Sequence, residues 1–282
     1  MNFVSITCVI VLCLNIITPC DSLTTPSPNS IFPQTSSTGD ATNTKNTHLI
    51  FPGGGIFFYW QAGCISYLRE KNYSLLDDDN TVKFTGASAG ALCATLAVTN
   101  VDFEEATELA LRQSEEEGIW DRPLGLYGIW GGVVERWLDE LIPADSVESL
   151  QDNRLSLLLT EVPSFQTKKV SQFESKEDLI RCNMGSVHIP LFMDGKLTTE
   201  FRSKPVIDGS FRAELKDYHA LKNSKDVIFF DWTKDPILNS RTLIDAVSTI
   251  SKEGIWDLLE QGRSYAVTME KRGKFSSLNI NQ

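Results

Sequence analysis

Apolar and polar positions along the chain fall into short runs whose period changes at turn-like breaks. Leu49-Ile50-Phe51 is an unbroken apolar triplet closed by Pro52-Gly53-Gly54-Gly55, the pattern of a buried strand ending in a turn. Over residues 56–69, large apolar side chains occupy more than one face of a helical repeat, which predicts a helix packed on several sides. A second strand is predicted over 81–85. Gly86-Ala87-Ser88-Ala89-Gly90 then forms a tight turn into an Ala/Leu-rich helix that reaches Val98. Asp102 precedes Phe103, Ala106, Leu109 and Ala110 at helical spacing, which predicts a capped amphipathic helix. Further helices are predicted at 133–141, 174–183 and 242–261, and buried strands at 155–160 and 227–230. Strands alternating with helices through Gly-rich turns predict an α/β layer fold with a mostly parallel sheet. In such sheets chemistry gathers where strands end and helices begin.

The N-terminal part does not share this alternation. Phe3 to Ile17 is nearly all apolar, interrupted mainly by Ser5, Thr7 and Asn15, and small residues follow at Cys20 and Ser22. Residues 1–22 therefore read as a signal peptide, although the basic start of such peptides is missing; an uncleaved anchor is the alternative. From Asp21 to His48, twelve of 28 residues are Ser or Thr and three are Pro, so 23–48 read as a disordered linker before a domain at 49–282. The expected location is the secretory pathway, secreted or luminal. A plastid-type extension is the rival reading, weakened by the absence of Arg from the linker. Cleavage would leave Cys64, Cys93 and Cys182, an odd number set among apolar neighbours that reads as packed thiols. One glycosylation sequon, Asn72-Tyr73-Ser74, fits that route.

Charge narrows the partners. The formal net charge is −11, and the stretch from Asp102 to Glu148 holds thirteen acidic residues against Arg112, Arg122 and Arg136. Nucleic acid is excluded as a partner, since no clustered basic surface exists to meet a phosphate backbone. The acidic run reads as a solvated helix face, or else as a surface that avoids anionic membranes.

Candidate chemistry sits at two strand-to-helix turns. In Gly86–Gly90 a serine is flanked on both sides by Gly or Ala, as a sharp elbow requires when strand and helix pass close together. The helix that follows directs its positive end at Ser88. Gly53-Gly54-Gly55 could cradle a phosphate at a helix start or stabilise an oxyanion; the elbow one helix and one strand later favours the oxyanion. For the base there are several candidates. Asp208-Gly209 follows the extended Pro205-Val206-Ile207, which places a carboxylate at a strand end. Asp194-Gly195 repeats the dipeptide. His219 could close a Ser88-Asp208-His219 triad, whereas His188 lies in an apolar run and His48 precedes the domain.

The glycine loop Gly53–Gly55, the elbow Gly86–Gly90 with Ser88, and Asp208-Gly209 downstream resemble, in order and spacing, the patatin-like phospholipases. That resemblance implies a three-layer α/β/α fold and a Ser88–Asp208 dyad without histidine. It also implies oxyanion stabilisation by Gly53, Gly54 and Gly55, and hydrolysis of acyl esters of glycerolipids or phospholipids at a transient membrane or lipid-surface contact. Such chemistry calls for no metal or organic cofactor. Ser186 to Pro190 resembles the family's segment ahead of its Asp-Gly, which favours Asp208 over Asp194. One departure stands out: many members carry a basic residue just after the glycine loop, where this chain has Ile56-Phe57-Phe58. A non-catalytic lipid-binding or storage protein on the same fold is the remaining alternative. Trp120, Leu124, Leu126, Tyr127, Ile129 and Trp130 either cover the core or form a cap that meets lipid. Phe57, Phe58 and Trp60 either line an acyl groove or pack on the sheet.

Overall fold

The computed structural model describes residues 47–76, 82–218 and 226–281. The expected signal peptide, most of the linker and His219 lie outside the described residues.

Strand β1 (Thr47–Phe51) runs parallel to β2 (Val82–Ala87) on one side and to β7 (Asp226–Phe229) on the other. Strand β3 (Leu155–Glu161) extends the parallel half beside β2. The other half is antiparallel: β4 (Gln166–Val170) and β6 (Lys204–Ile207) both pair with β3, and β5 (Thr199–Phe201) closes a hairpin on β6. The expected parallel sheet therefore forms only the half that carries the elbow. The antiparallel part escapes the apolar pattern because β4 is Gln-Thr-Lys-Lys-Val with one buried residue.

Alternation along the strands sorts the layers. Leu49, Phe51, Phe84, Leu155, Leu157 and Leu159 face the main core, whereas Ile50, Ala87 and Leu158 face the opposite side. The main core is covered by α1 (Phe58–Glu70), α2 (Ala89–Val98), α3 (Phe103–Glu116), α4 (Trp130–Leu141), α5 (Lys176–Ser186) and α8 (Lys252–Lys271). The opposite face is met by Tyr218 of the short α6 (Leu215–Tyr218) and by Ala213. The result is a three-layer α/β/α arrangement with one thick and one thin helical layer. Helices α1 and α8 touch backbone to backbone at reciprocal glycines: a Cβ on Gly63 would overlap the Leu259 carbonyl, and one on Gly262 the Trp60 carbonyl.

Asp102 does cap α3, accepting from the N–H groups of Glu104 (2.8 Å) and Glu105 (2.9 Å), and the acidic side chains of that helix point to solvent. Cys64, Cys93 and Cys182 are free and buried. The helix expected at 242–261 is broken. Helix α7 (Leu243–Ala246) is a single capping-box turn begun by Thr242, and α8 restarts only after Ser251, which caps the Gly254 N–H at 3.1 Å. Residues 247–251 are thus released as a strap. His48, placed ahead of the domain from sequence, is a buried member of β1 whose Nε2 lies 2.8 Å from Thr85 Oγ1.

Candidate active site

Sheet topology brings the two motif residues together. On one edge of β3, Leu158 pairs with Ala87, the last residue of β2. Two positions on, the same edge is taken over by β6, with Thr160 opposite Ile207. Because β2 and β6 run in opposite directions along that edge, their C-terminal ends meet, and the next residue of each is Ser88 and Asp208. Ser88 Oγ donates to Asp208 Oδ2 at 2.6 Å.

Both ends are locked by backbone. Ser88 has φ 53° and ψ −134°, a conformation that L side chains adopt only under strain and that aims Oγ away from the sheet. The turn is possible only with its glycines, since a Cβ on Gly86 would overlap the Gly90 carbonyl and one on Gly90 the Phe51 carbonyl. Asp208 is held through its main chain: its N–H donates to the His188 carbonyl (2.9 Å) and its carbonyl accepts from Thr160 Oγ1 (2.9 Å). Ser186, at the end of α5, ties the two together. Its Oγ accepts from the Ser88 N–H (3.0 Å) and donates to the Leu158 carbonyl (2.7 Å), while its own carbonyl accepts from the Gly209 N–H (2.9 Å). A Cβ on Gly209 would overlap the Leu158 carbonyl.

The carboxylate is 8% exposed. Burial pushes its pKa above the usual carboxylate range, opposed by hydrogen bonds donated by Ser88 and by the N–H and hydroxyl of Ser210 at Oδ1 (2.8 and 2.7 Å). One oxygen is therefore fixed by Ser210 and the other left to Ser88. The arrangement can take a proton from the serine directly, with no group between.

The glycine loop lies against this pair; a Cβ on Gly53 would come within 3.0 Å of Ser88 Cβ. The three glycines do not play one part. Gly53 N–H meets the buried Tyr218 hydroxyl, and its carbonyl accepts from Trp232 Nε1 at 3.4 Å. Trp232 itself stacks on Phe57, ring centres 4.0 Å apart. Gly55 has φ +54° and passes against the Ala246 carbonyl, where a Cβ would overlap. Among the described residues the N–H groups of Gly54 and Gly55 have no hydrogen-bond partner, and they open the one-turn helix that runs into α1. Two donors at a helix start, beside the serine, are what an oxyanion would meet.

Ser88 opens onto an apolar cavity lined mainly by aliphatic and aromatic side chains. Leu92, Trp130, Val134 and Trp137 form part of its wall, with Ile56 and Phe58 on one side and Val247 of the strap on another. The aromatic cluster of 120–130 thus covers the cavity: Trp120, Leu126 and Trp130 line it, while Leu124 is exposed. Trp120 Nε1 donates to the Ile250 carbonyl at 2.8 Å, which ties this cap to the strap. Phe58 lines the cavity, whereas Phe57 and Trp60 are core residues; Trp60 Nε1 is fixed by Asp235 Oδ2 at 2.8 Å.

The rival bases separate. Asp194 sits on an exposed turn, accepting from the Lys196 N–H (3.0 Å) and pairing with its ammonium (3.3 Å). The His188 ring is buried, and its Nε2 has no partner among the described residues; it serves Asp208 only through its carbonyl. Tyr218 and Trp232 give little signal in sequence, and Ser186 enters there only as the start of the segment that resembles the family's. Each acts through a long-range contact.

With this geometry in place, comparison with known proteins gives the class. The Patatin-like phospholipase family profile matches residues 49–215, more than half the chain. Human patatin-like phospholipase domain-containing protein 2 is 32% identical over 194 residues, covering 68% of this chain and 37% of that protein. The omega-hydroxyceramide transacylase of Mus musculus is 30% identical over 162 residues, covering 57% of this chain and 26% of that protein. The 1-acylglycerol-3-phosphate O-acyltransferase Pnpla3 of Mus musculus is 29% identical over 164 residues, covering 57% and 38%. The chain belongs to the patatin-like phospholipase family, and it matches well under half the length of these relatives.

Proposed function

We propose that the chain is a lipid acyl hydrolase, of phospholipase A or acylglycerol lipase type, with Ser88 as nucleophile and Asp208 as its base. The observation that carries this reading is the 2.6 Å hydrogen bond from Ser88 Oγ to Asp208 at the end of an apolar cavity. An acyl chain enters the cavity and its ester carbonyl reaches Ser88. Asp208 takes the hydroxyl proton as Oγ attacks, and the Gly54 and Gly55 amides hold the tetrahedral oxyanion. Collapse breaks the ester bond, Asp208 returns the proton to the leaving alcohol, and an acyl-serine remains. Water then gives a proton to Asp208 and attacks the acyl carbon, releasing the fatty acid and restoring Ser88. Burial raises the Asp208 pKa and so makes its carboxylate a stronger base than an exposed one.

Leu124 on the cap and Ile244 on α7, both exposed, flank the segments that line the cavity and supply a lipid-surface contact. Among the described residues no helix is long and apolar enough to cross a membrane. The apolar N-terminal run supports a secretory route for the protein. Two of the relatives are named for acyl transfer, and the same acyl-serine can be resolved by an alcohol in place of water.

The test is hydrolysis of matched short- and long-chain acyl esters, with phosphatidylcholine vesicles and triacylglycerol emulsions, by wild type and Ser88→Ala. Release of fatty acid from long chains, lost in Ser88→Ala, is expected; adding monoacylglycerol separates water from an alcohol acceptor. Near-normal turnover by Ser88→Ala would sink the reading.

A further inference from the structure

A buried hydroxyl with no partner needs an explanation, and the chain has one at an informative position. Ser74 is 3% exposed, yet its Oγ makes no hydrogen bond to any described residue. Such a group costs stability relative to an alanine of nearly the same size. The Ser74 N–H is taken, donating to the Asn279 carbonyl at 2.8 Å. Among the described residues nothing uses the side chain.

Two residues earlier, Asn72 is exposed at the end of α1, with φ 56°. Its backbone is fastened on both sides, donating to the Arg69 carbonyl (2.9 Å) and accepting from the Asn281 N–H (2.8 Å), so the side chain projects from a fixed left-handed turn. The helix stop explains an Asn or a Gly at this position, but it does not explain a Ser two residues on. The spacing Asn-Tyr-Ser explains both.

We propose that Asn72 carries an N-linked oligosaccharide, and that Ser74 is kept for the modifying enzyme and not for the fold. In the transfer, Asn72 Nδ2 bonds to the anomeric carbon of a polyprenyl-diphosphate-linked oligosaccharide. The carbon–oxygen bond to the diphosphate breaks, the lipid diphosphate leaves with the electron pair, and Nδ2 loses one proton. Since the folded protein buries Ser74, the hydroxyl is read before folding, as the chain enters the secretory lumen, and is then covered. The glycan does not obstruct the candidate active site. Helix α1 starts at the glycine loop and runs away from it for thirteen residues, so Asn72 lies roughly 20 Å from that end at 1.5 Å per residue. The proposal is independent of what reaction Ser88 performs.

The experiment expresses the full chain, with its own N-terminus, in a eukaryotic cell and compares gel mobility before and after peptide:N-glycosidase. Wild type and Ser74→Thr should shift, while Asn72→Gly, which keeps the left-handed turn, and Ser74→Ala should not. Unglycosylated Ser74→Ala should melt no lower than unglycosylated wild type, and Asn72→Gly should keep wild-type fatty-acid release. A heat-unfolded chain should accept the oligosaccharide from microsomes in vitro and the folded chain should not. Absence of a glycan from Asn72 in the wild type overturns the proposal, whether the chain enters the lumen or stays in the cytosol. A clear loss of melting temperature in Ser74→Ala overturns its structural half.

Discussion

The Ser88–Asp208 corner and the cap–strap that covers it are built in opposite ways. The corner is made of backbone: two strand ends meeting on β3, three glycines whose Cβ atoms would overlap carbonyls, and main-chain bonds that fix Asp208 from both sides. The cap (residues 117–129) and strap (247–251) are irregular. They are joined to each other and to the rest by a few contacts, such as Trp120 to Ile250, Gly125 against Thr249, and the Gly128 N–H to the Phe192 carbonyl at 2.7 Å. The first region leaves its residues no choice of position, as proton transfer at 2.6 Å demands. The second supplies apolar wall and can be changed by side chain without moving the first. Chemistry and substrate shape are thereby held by separate parts of the chain.

The largest break in that comparison comes from the corner itself. Ser88→Ala should lower kcat by ~10⁴-fold or more, and Asp208→Asn by a similar ~10⁴-fold with the geometry kept, measured as fatty-acid release. Asp208→Asn carries a second expected outcome of opposite sign. The folded pKa of Asp208 is raised, so its stabilising form is the protonated one, present at low pH and lost as pH rises through that raised value. Above that value the ionised carboxylate is a burden, and the amide removes it. Asp208→Asn should therefore melt higher than wild type, by about 2–4 °C for each kcal/mol relieved.

Alanine at glycine sharpens the contrast. Gly90→Ala should prevent folding or cost about 3 kcal/mol or more, because its Cβ meets main-chain carbonyls that cannot give way. Gly132→Ala, on the exposed side of α4 with open space around it, should raise stability by about 0.5–1 kcal/mol. Calorimetry of the pair separates the backbone-locked corner from an open helix face.

Smaller effects belong to the cap. Trp120→Phe keeps the cavity wall and removes the bond to the Ile250 carbonyl, worth about 1 kcal/mol. KM for long-chain esters should rise a few-fold while kcat on a short ester stays put. A comparable fall in kcat for both would mean that the cap reaches the chemistry. The acid limb of kcat/KM should also lie above the ordinary Asp value of ~3.9, since burial raises Asp208.

Much of the corner was legible because it is contiguous. Elbow, glycine loop and Asp-Gly each declare themselves within five residues through the Gly and Ala that close approach requires. What escaped was what depends on distant partners. The end-to-end meeting of β2 and β6 follows from a shared edge of β3, and β6 carries only Val206 and Ile207 as buried residues. Ser186 opens a segment that the resemblance marks, but its role in tying Ser88 to Gly209 shows only in space. The break at 247–251 was hidden by apolar residues at near-helical spacing. Its signs were Thr242 with Asp245 as a capping box and Ser251 as a second start. The equal treatment of Gly53, Gly54 and Gly55 also gives way, since Tyr218, Trp232 and Ala246, all far along the chain, distinguish them.

The central claim is that Asp208 acts on Ser88 directly. It is tested most directly by the rate of covalent labelling with a fluorophosphonate, the site being read by peptide mass spectrometry. Wild type should label on Ser88, His219→Ala at the wild-type rate, and Asp208→Asn ~10²-fold or more slowly. Labelling lost in His219→Ala but retained in Asp208→Asn would contradict the account and return the site to a histidine-based triad.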